Sequence, residues 1–344
     1  MGAARVAAAP EAVVRLRLWI AFAALGVAWG TTWIASDTLA ESVPPLGGAA
    51  ARFLLSALLC IPVIRWKRLK LPWGRALGVV LLLSLTMIAL PTVLLLWAEP
   101  RLSSATVTVL FAAMPLLLAV LDPKVVPRSA LQACIVALGA MALVVNANFS
   151  MAQAGGAAVA LLAVISIAVS VLFARRELSG VHPVVVTAWL LGAAALLLAL
   201  AAIVLERGQP VQWSRSAIGS VLFLAGVGGA PAYAAYFWLL QRLQPYQVAT
   251  LQWVEPLVAI GESAFSLRIG LSFPMVAGSL ITLLCLLLVM RTRVEDDNPV
   301  SLWANSYAES ARSGRRMGYT AGDGRDFVHR RRRRGSGLRH LRQW

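Results

Sequence analysis

Between residues 18 and 290 the chain is a succession of apolar runs, each close to the thickness of a lipid bilayer. That succession constrains the fold more than any motif. A helix needs roughly 17–25 apolar residues to cross the hydrocarbon core, and in lipid every backbone N–H and C=O must be satisfied within the structure. Ten runs meet or approach that length: 18–36, 46–64, 76–97, 102–121, 129–145, 157–174, 184–205, 217–240, 246–267 and 273–290, the fifth being the shortest. The fold class expected is an all-α integral membrane protein with ten transmembrane helices. Composition agrees: 59% of residues are hydrophobic and 13% charged, about half the charge of an ordinary soluble domain. The first run follows basic residues but carries Trp29-Gly30-Thr31-Thr32-Trp33 and no small-residue cleavage site, so it is read as a retained span rather than a signal peptide.

The net charge of +16 would suit a nucleic-acid binder, but its placement argues otherwise. Much of it lies beyond Met290, including the arginines at 330–334, and most of the rest lies in short loops. With the N-terminus in the cytoplasm, the inner loops hold Arg65, Lys67, Arg68, Lys70, Arg75, Lys124, Arg128, Arg175, Arg176 and Arg242. The outer loops hold only Arg101, Arg207, Arg215 and Arg268. This is the positive-inside pattern. It predicts a multi-pass protein of the cell (inner) membrane with both termini cytoplasmic, and no nucleic-acid partner. Residues 1–10, and everything after about 294, lack the pattern of a packed element; the tail is read as disordered. Cys60, Cys134 and Cys285 fall in separate apolar runs and read as packing residues. No metal-ligand spacing, cofactor loop or catalytic constellation occurs: GVGG near 226–229 lies inside a span, and the three histidines, His182, His329 and His340, do not cluster. The chain is read as no enzyme, with no cofactor and no metal.

An internal repeat organises the spans. Residues 98–115 (AEPRLSSATVTVLFAAMP) align with 239–256 (LLQRLQPYQVATLQWVEP) at a constant offset of 141, and Pro91 meets Pro231 with one residue of slip. Spans 3–4 thus repeat as spans 8–9. An odd number of spans per half forces the halves to insert with opposite orientation, and inverted repeats place a transporter's site between them near mid-membrane. Pro91, Pro115, Pro231 and Pro256 are the candidate gating or helix-bend residues, because proline removes a backbone donor inside a span.

Span 9 holds the candidate site. Glu255 precedes Pro256 in an apolar run, and Gln252, Glu255, Ala259, Glu262 and Ser266 share one helical face. An acid in a span is costly and should face a cavity or a partner. A substrate ammonium or a coupled proton would suit it; a structural pair with Arg52 is the alternative. Arg52, in span 2, would anchor a substrate carboxylate, pair with Asp37 or Glu255, or snorkel to the interface. Trp29, Thr32, Trp33 and Ser36 share a face of span 1. Tyr233, Tyr236, Phe237 and Leu240 share one on span 8, and Ser166, Ser170 and Phe173 one on span 6. The substrate-binding candidates are Glu255, Arg52, Trp29, Trp33, Tyr236, Gln252 and Ser170. Trp253 points nearly opposite Glu255 and is left out. Gly26 and Gly30 form a GxxxG that suits close helix contact.

Several of these stretches resemble the EamA family of the drug/metabolite transporter superfamily. They are Trp29 to Ala35, Pro44-Pro45, Ala51-Arg52-Phe53-Leu54-Leu55-Ser56-Ala57, Ala174-Arg175-Arg176, His182-Pro183, Glu255-Pro256-Leu257-Val258-Ala259 and Gly278. Arg128 and Ile269 depart from the pattern, standing where such proteins commonly carry an acid. The resemblance implies ten spans in two inverted five-helix repeats, a central cavity, and export or exchange of small metabolites. On this reading residues 1–17 are a cytoplasmic N-terminal segment, 18–146 the first EamA-like repeat, 147–291 the second, and 292–344 a disordered basic cytoplasmic tail. The expected function is a secondary active transporter, an exporter, of small organic metabolites such as amino acids or amphipathic amines, working by alternating access. Its partners would be the small-molecule substrate, membrane lipids, a proton as coupling ion and a second copy of the chain. A lipid-handling or enzymatic membrane protein, or a non-transporting scaffold, is the alternative.

Overall fold

The computed structural model describes residues 2–123, 126–145, 153–267 and 272–292; at 2–12, 104 and 263–267 only the backbone is described. The regular elements among them are all helical. In chain order they are α1 (Gly2–Gly30), α2 (Thr32–Ala40), α3 (Pro45–Trp66), α4 (Arg75–Leu83), a π-helical segment (Ser84–Ala89) and α5 (Leu90–Ala98). A 3₁₀ turn (Glu99–Arg101) leads into α6 (Ser104–Ala112), α7 (Met114–Leu121), α8 (Arg128–Val144), α9 (Ala154–Glu177) and α10 (Pro183–Leu205). Then follow α11 (Arg215–Phe223), a second π-helical segment (Leu224–Gly229), α12 (Ala230–Leu240), α13 (Pro245–Ala249), α14 (Leu251–Leu267) and α15 (Phe273–Arg291). The expectations for Lys124, Arg268, Ile269 and the tail beyond 292 lie outside the described residues.

Seven helical stretches are long and apolar enough to cross a membrane, and they correspond to spans 1, 2, 3, 6, 7, 8 and 10 of the sequence reading. The fourth and fifth runs form the shorter apolar helices Ala105–Leu121 and Arg128–Val144. The ninth is interrupted at Thr250.

Three details depart from expectation. Helix α1 begins at Gly2, inside the stretch read as unpacked. Alanine crowds residues 3–9, and it is the best helix former. The first span is broken at Thr31. In the ninth, Pro256 stays within α14 while the interruption falls at Thr250, where Trp253 N–H bonds the Thr250 carbonyl in a tighter turn (3.0 Å). In the fourth, by contrast, the break at Ala113 falls two residues before Pro115, which then sits in the first turn of α7, where no N–H is needed.

The two π-helical segments stand 140 residues apart, and each ends directly before a helix whose second residue is proline, Pro91 or Pro231. In a π-turn a carbonyl bonds the N–H five residues on. Thr86 would need the N–H of residue 91, which proline lacks. The Ser166 hydroxyl on α9 supplies that donor instead, at 2.6 Å from the Thr86 carbonyl. In the second segment the Trp29 indole N–H donates to the Gly228 carbonyl at 3.0 Å. Lipid offers no donor, so these cross-helix bonds are what makes the irregular backbone tolerable there.

The repeat extends into side-chain detail. Arg101 stacks on Trp97 (3.9 Å to the ring centroid) and donates to its carbonyl. Arg242, 141 residues later, stacks on Trp238 (4.3 Å) and donates to its carbonyl at 3.0 Å. Equivalent helices also pair. Helices α3 and α10 run antiparallel, with Leu46 and Gly47 beside Glu206 at one end and Gly192 near Ala57 further along. Helices α8 and α15 do likewise, Gly278 lying against Ala140 and Val144. Gly26 and Gly30 bring α1 onto α14: a Cβ on either would fall within 2.6 Å of Val254 or 2.5 Å of Val258. Arg175 donates to the carbonyls of Leu240 and Leu243, placing a cation at the C-terminal end of α12, as the helix dipole favours.

Candidate functional site

The charged interior of the molecule is assembled by three helices. Helix α3 carries Arg52, α12 carries Tyr233 and Tyr236, and α14 carries Gln252 and Glu255. The Arg52 guanidinium lies over the Phe53 ring, 4.6 Å from its centroid, and its Nε is buried without a hydrogen-bond partner among the described residues. Gln252 donates its side-chain N–H to Glu255 at 3.2 Å, one turn along the same face. Tyr233 lies within electrostatic range of both Arg52 and Glu255. The ion pairs among the described residues are Arg75–Glu177 and Arg176–Asp122, both in partly exposed positions; Arg52 and Glu255 do not form one.

Aromatic rings pack around this cluster. Trp29 contacts Tyr233 and Tyr236, each at 5.5 Å between centroids, and Phe53 meets Tyr233 edge-on at 6.2 Å. The hydrogen bond to Gly228 fixes the Trp29 indole. A cation and an acid are thus held apart around a phenol in apolar surroundings. That arrangement offers complementary groups to a ligand carrying both charges.

The structure brings together Glu255, Gln252, Arg52, Trp29 and Tyr236 from the sequence candidates. Trp33 stands beyond the break at Thr31 and is 51% exposed. Ser170 is buried on α9, where its hydroxyl lies 2.8 Å from that of Thr86 and 2.7 Å from the Ser166 carbonyl, at the first π-helical segment. Pro91 and Pro115 are buried, Pro256 is partly buried, and Pro231 is exposed.

Two residues escape the sequence candidates. Tyr233 shares the helical face that nominated Tyr236, and it is the one within electrostatic range of both charges. Glu206 is buried at the C-terminal end of α10 and accepts the Leu46 N–H at 2.7 Å and the Gly47 N–H at 2.9 Å. The available signal is electrostatic. An acid at its own helix's C-terminus opposes that dipole, so it is placed to serve another helix's N-terminus.

A separate groove of about 1030 Å³ opens between α1–α2 and α11, with Ala24, Val27, Thr31, Ala35, Ser220 and Glu262 in its lining. Neither Arg52 nor Glu255 lines it. The polar stripe of α14 therefore serves two places: Gln252 and Glu255 the aromatic cluster, Glu262 the groove. The side chain of Ser266 lies outside the described residues.

Comparison with known proteins accords with this architecture. The EamA-like transporter family matches twice, over residues 17–145 and 154–291. Protein PagO of Salmonella typhimurium is 23% identical over 300 residues, covering 83% of this chain and 98% of the relative. An uncharacterized transporter of Buchnera aphidicola is 23% identical over 247 residues, covering 69% of this chain and 82% of the relative. The uncharacterized transporter YvbV of Bacillus subtilis is 26% identical over 283 residues, covering 79% and 91%. A solved crystal structure superposes with a TM-score of 0.69 at 17% identity, over 80% of this chain and 97% of that one. This last likeness concerns the fold alone.

Proposed function

Because the chain belongs to the EamA-like transporter family, and is a multi-pass membrane protein of that family, we propose that it is a secondary active transporter. It exports small organic metabolites such as amino acids or amphipathic amines by alternating access. The observation that carries this reading is the Arg52–Tyr233–Glu255 cluster. Among the described residues, a guanidinium with an unpartnered Nε and a carboxylate that accepts from Gln252 stand on different helices beside one cluster of aromatic rings. Holding two partly buried charges in apolar surroundings without pairing them is costly, which points to a ligand that completes them.

The architecture proposed is ten spans in two inverted five-helix repeats, 18–146 and 147–291. Its support is the pair of π-helical segments at an interval of 140, the paired Arg–Trp stacks, the antiparallel contacts of α3 with α10 and of α8 with α15, and the family's double match. The loop arginines support an inner-membrane orientation with both termini cytoplasmic.

The test is counterflow in proteoliposomes against a metabolite panel, with and without a pH gradient. The reading expects saturable exchange of at least one zwitterion or amine. Glu255→Gln and Arg52→Gln should each reduce it at least about tenfold, the loss of one charge-assisted contact. Undiminished flux in both variants would remove the cluster from the mechanism.

A further inference from the structure

The groove between α1–α2 and α11 has a chemistry of its own. Its walls are apolar, with Val27, Ile34 and Phe223 each more than a third exposed into open space. Two of its polar atoms have already used their hydrogens. The Thr31 hydroxyl donates to the Ala28 carbonyl at 3.0 Å, and the Thr38 hydroxyl to the Ile34 carbonyl at 2.9 Å. Each hydroxyl has one hydrogen, so what these oxygens offer a ligand is lone pairs. Glu262 adds a carboxylate, which also only accepts when ionised, and the lining contains no lysine, arginine or histidine. The Ser216 and Ser220 hydroxyls, also in the lining, can donate or accept. An apolar trough whose one charge is negative is complementary to a molecule with a hydrocarbon body and a cationic donor. A neutral lipid tail would leave the carboxylate without a partner, and an anion would be repelled.

We propose that this lateral groove binds an amphipathic organic amine, its ammonium at Glu262 and its hydrocarbon body along α1 and α11. The site is distinct from the Arg52–Tyr233–Glu255 cluster. It rests on the transporter reading only in naming a substrate class for that function. Gly219 supplies an independent handle: it lines the groove, and a Cβ built on it meets no atom within 4 Å. A larger side chain there fills the groove without displacing its walls.

The experiment is equilibrium binding of tritiated 4-phenylbutylamine to the purified full chain by scintillation proximity, with 4-phenylbutan-1-ol as the uncharged competitor. The expected result is saturable binding that the alcohol does not displace. Glu262→Gln should weaken it at least about tenfold, as loss of a charge-assisted contact does. Gly219→Phe should weaken it comparably while leaving the carboxylate in place. Thermal unfolding midpoints equal to that of the parent chain qualify each variant, and either one suffices if the other does not fold. Binding unchanged in a folded Glu262→Gln or Gly219→Phe overturns the proposal, as does displacement by the alcohol at equal concentration. Saturable, Glu262-dependent binding without counterflow of any solute retires the transport reading and keeps this site. Counterflow with no Glu262-dependent binding does the reverse.

Discussion

Trp253 donates its indole N–H to the backbone carbonyl of Ala112 at 2.9 Å, and the two residues are 141 positions apart. The same interval carries Trp97 onto Trp238 and Arg101 onto Arg242. Residue 253 is therefore the counterpart of residue 112 at that interval. Ala112 ends α6 at the break before Pro115, where its carbonyl is open to an outside donor. Trp253 is fully buried.

Replacing Trp253 with Phe keeps most of the volume and removes the donor. The expected cost is about 1–2 kcal/mol, that of leaving one buried carbonyl unsatisfied. Trp253→Ala should cost about 3–5 kcal/mol, because a cavity is added. Unfolding midpoints in detergent read both. Equal effects of the two substitutions would mean that the lost donor alone matters at this point, and a neutral Trp253→Phe that packing alone does.

Ser166 and Pro91 should be energetically coupled. Ser166→Ala strands the Thr86 carbonyl and is expected to cost about 1–2 kcal/mol in the parent chain. In a Pro91→Ala background residue 91 regains an N–H that can serve the same carbonyl, so Ser166→Ala should cost less. A double-mutant cycle on stability should return a coupling of about 0.5 kcal/mol or more. Additive effects would show that the serine does not substitute for the missing proline donor.

Glu206 holds the start of α3 through two backbone N–H groups. Pro44 cannot cap that helix with its own side chain, and Pro45 fills the first helical position. Glu206→Ala should therefore destabilise the fold by about 1–3 kcal/mol, and Glu206→Gln, which keeps one acceptor oxygen, by less. Hydrogen exchange at Leu46 and Gly47 would localise the effect: their protection should fall in Glu206→Ala ahead of the rest of α3.

His182 accepts the Val184 N–H on Nδ1 at 3.3 Å, capping α10, and can do so only while that nitrogen is unprotonated. Burial lowers its pKa below the ordinary value of 6.5, and Lys67 nearby lowers it further. The unfolded chain thus binds this proton more readily than the folded one. The contribution is complete above the unfolded value and is lost as pH falls from about 6.5 through the lower folded pKa. Stability measured from pH 7.5 to 5 should decline over that window, and His182→Asn, an uncharged cap, should flatten this part of the decline.

The sequence alone determined the membrane class, because the length of an apolar run is a local property that a bilayer reads directly. It also exposed the repeat, because proline and Arg-Leu recur at a fixed interval whatever packs against them, and it located Glu255, Gln252 and Arg52 as polar groups in apolar runs. Tertiary structure decided which side chain serves which backbone. Helical periodicity placed Ser170 beside Ser166 correctly, yet nothing in it says that both turn toward Thr86. It placed Trp33 on the face of Trp29, but the break at Thr31 leaves the one half exposed and the other among the tyrosines. Trp253 was set aside for pointing away from Glu255, and it points instead at its own repeat counterpart. Glu206 stands just past the end of an apolar run, and only the fold sets another helix's N-terminus against it. The reason is the same in each case: an orphaned N–H or carbonyl is visible from proline and helix ends along the chain, whereas the partner that satisfies it comes from whichever helix packs alongside.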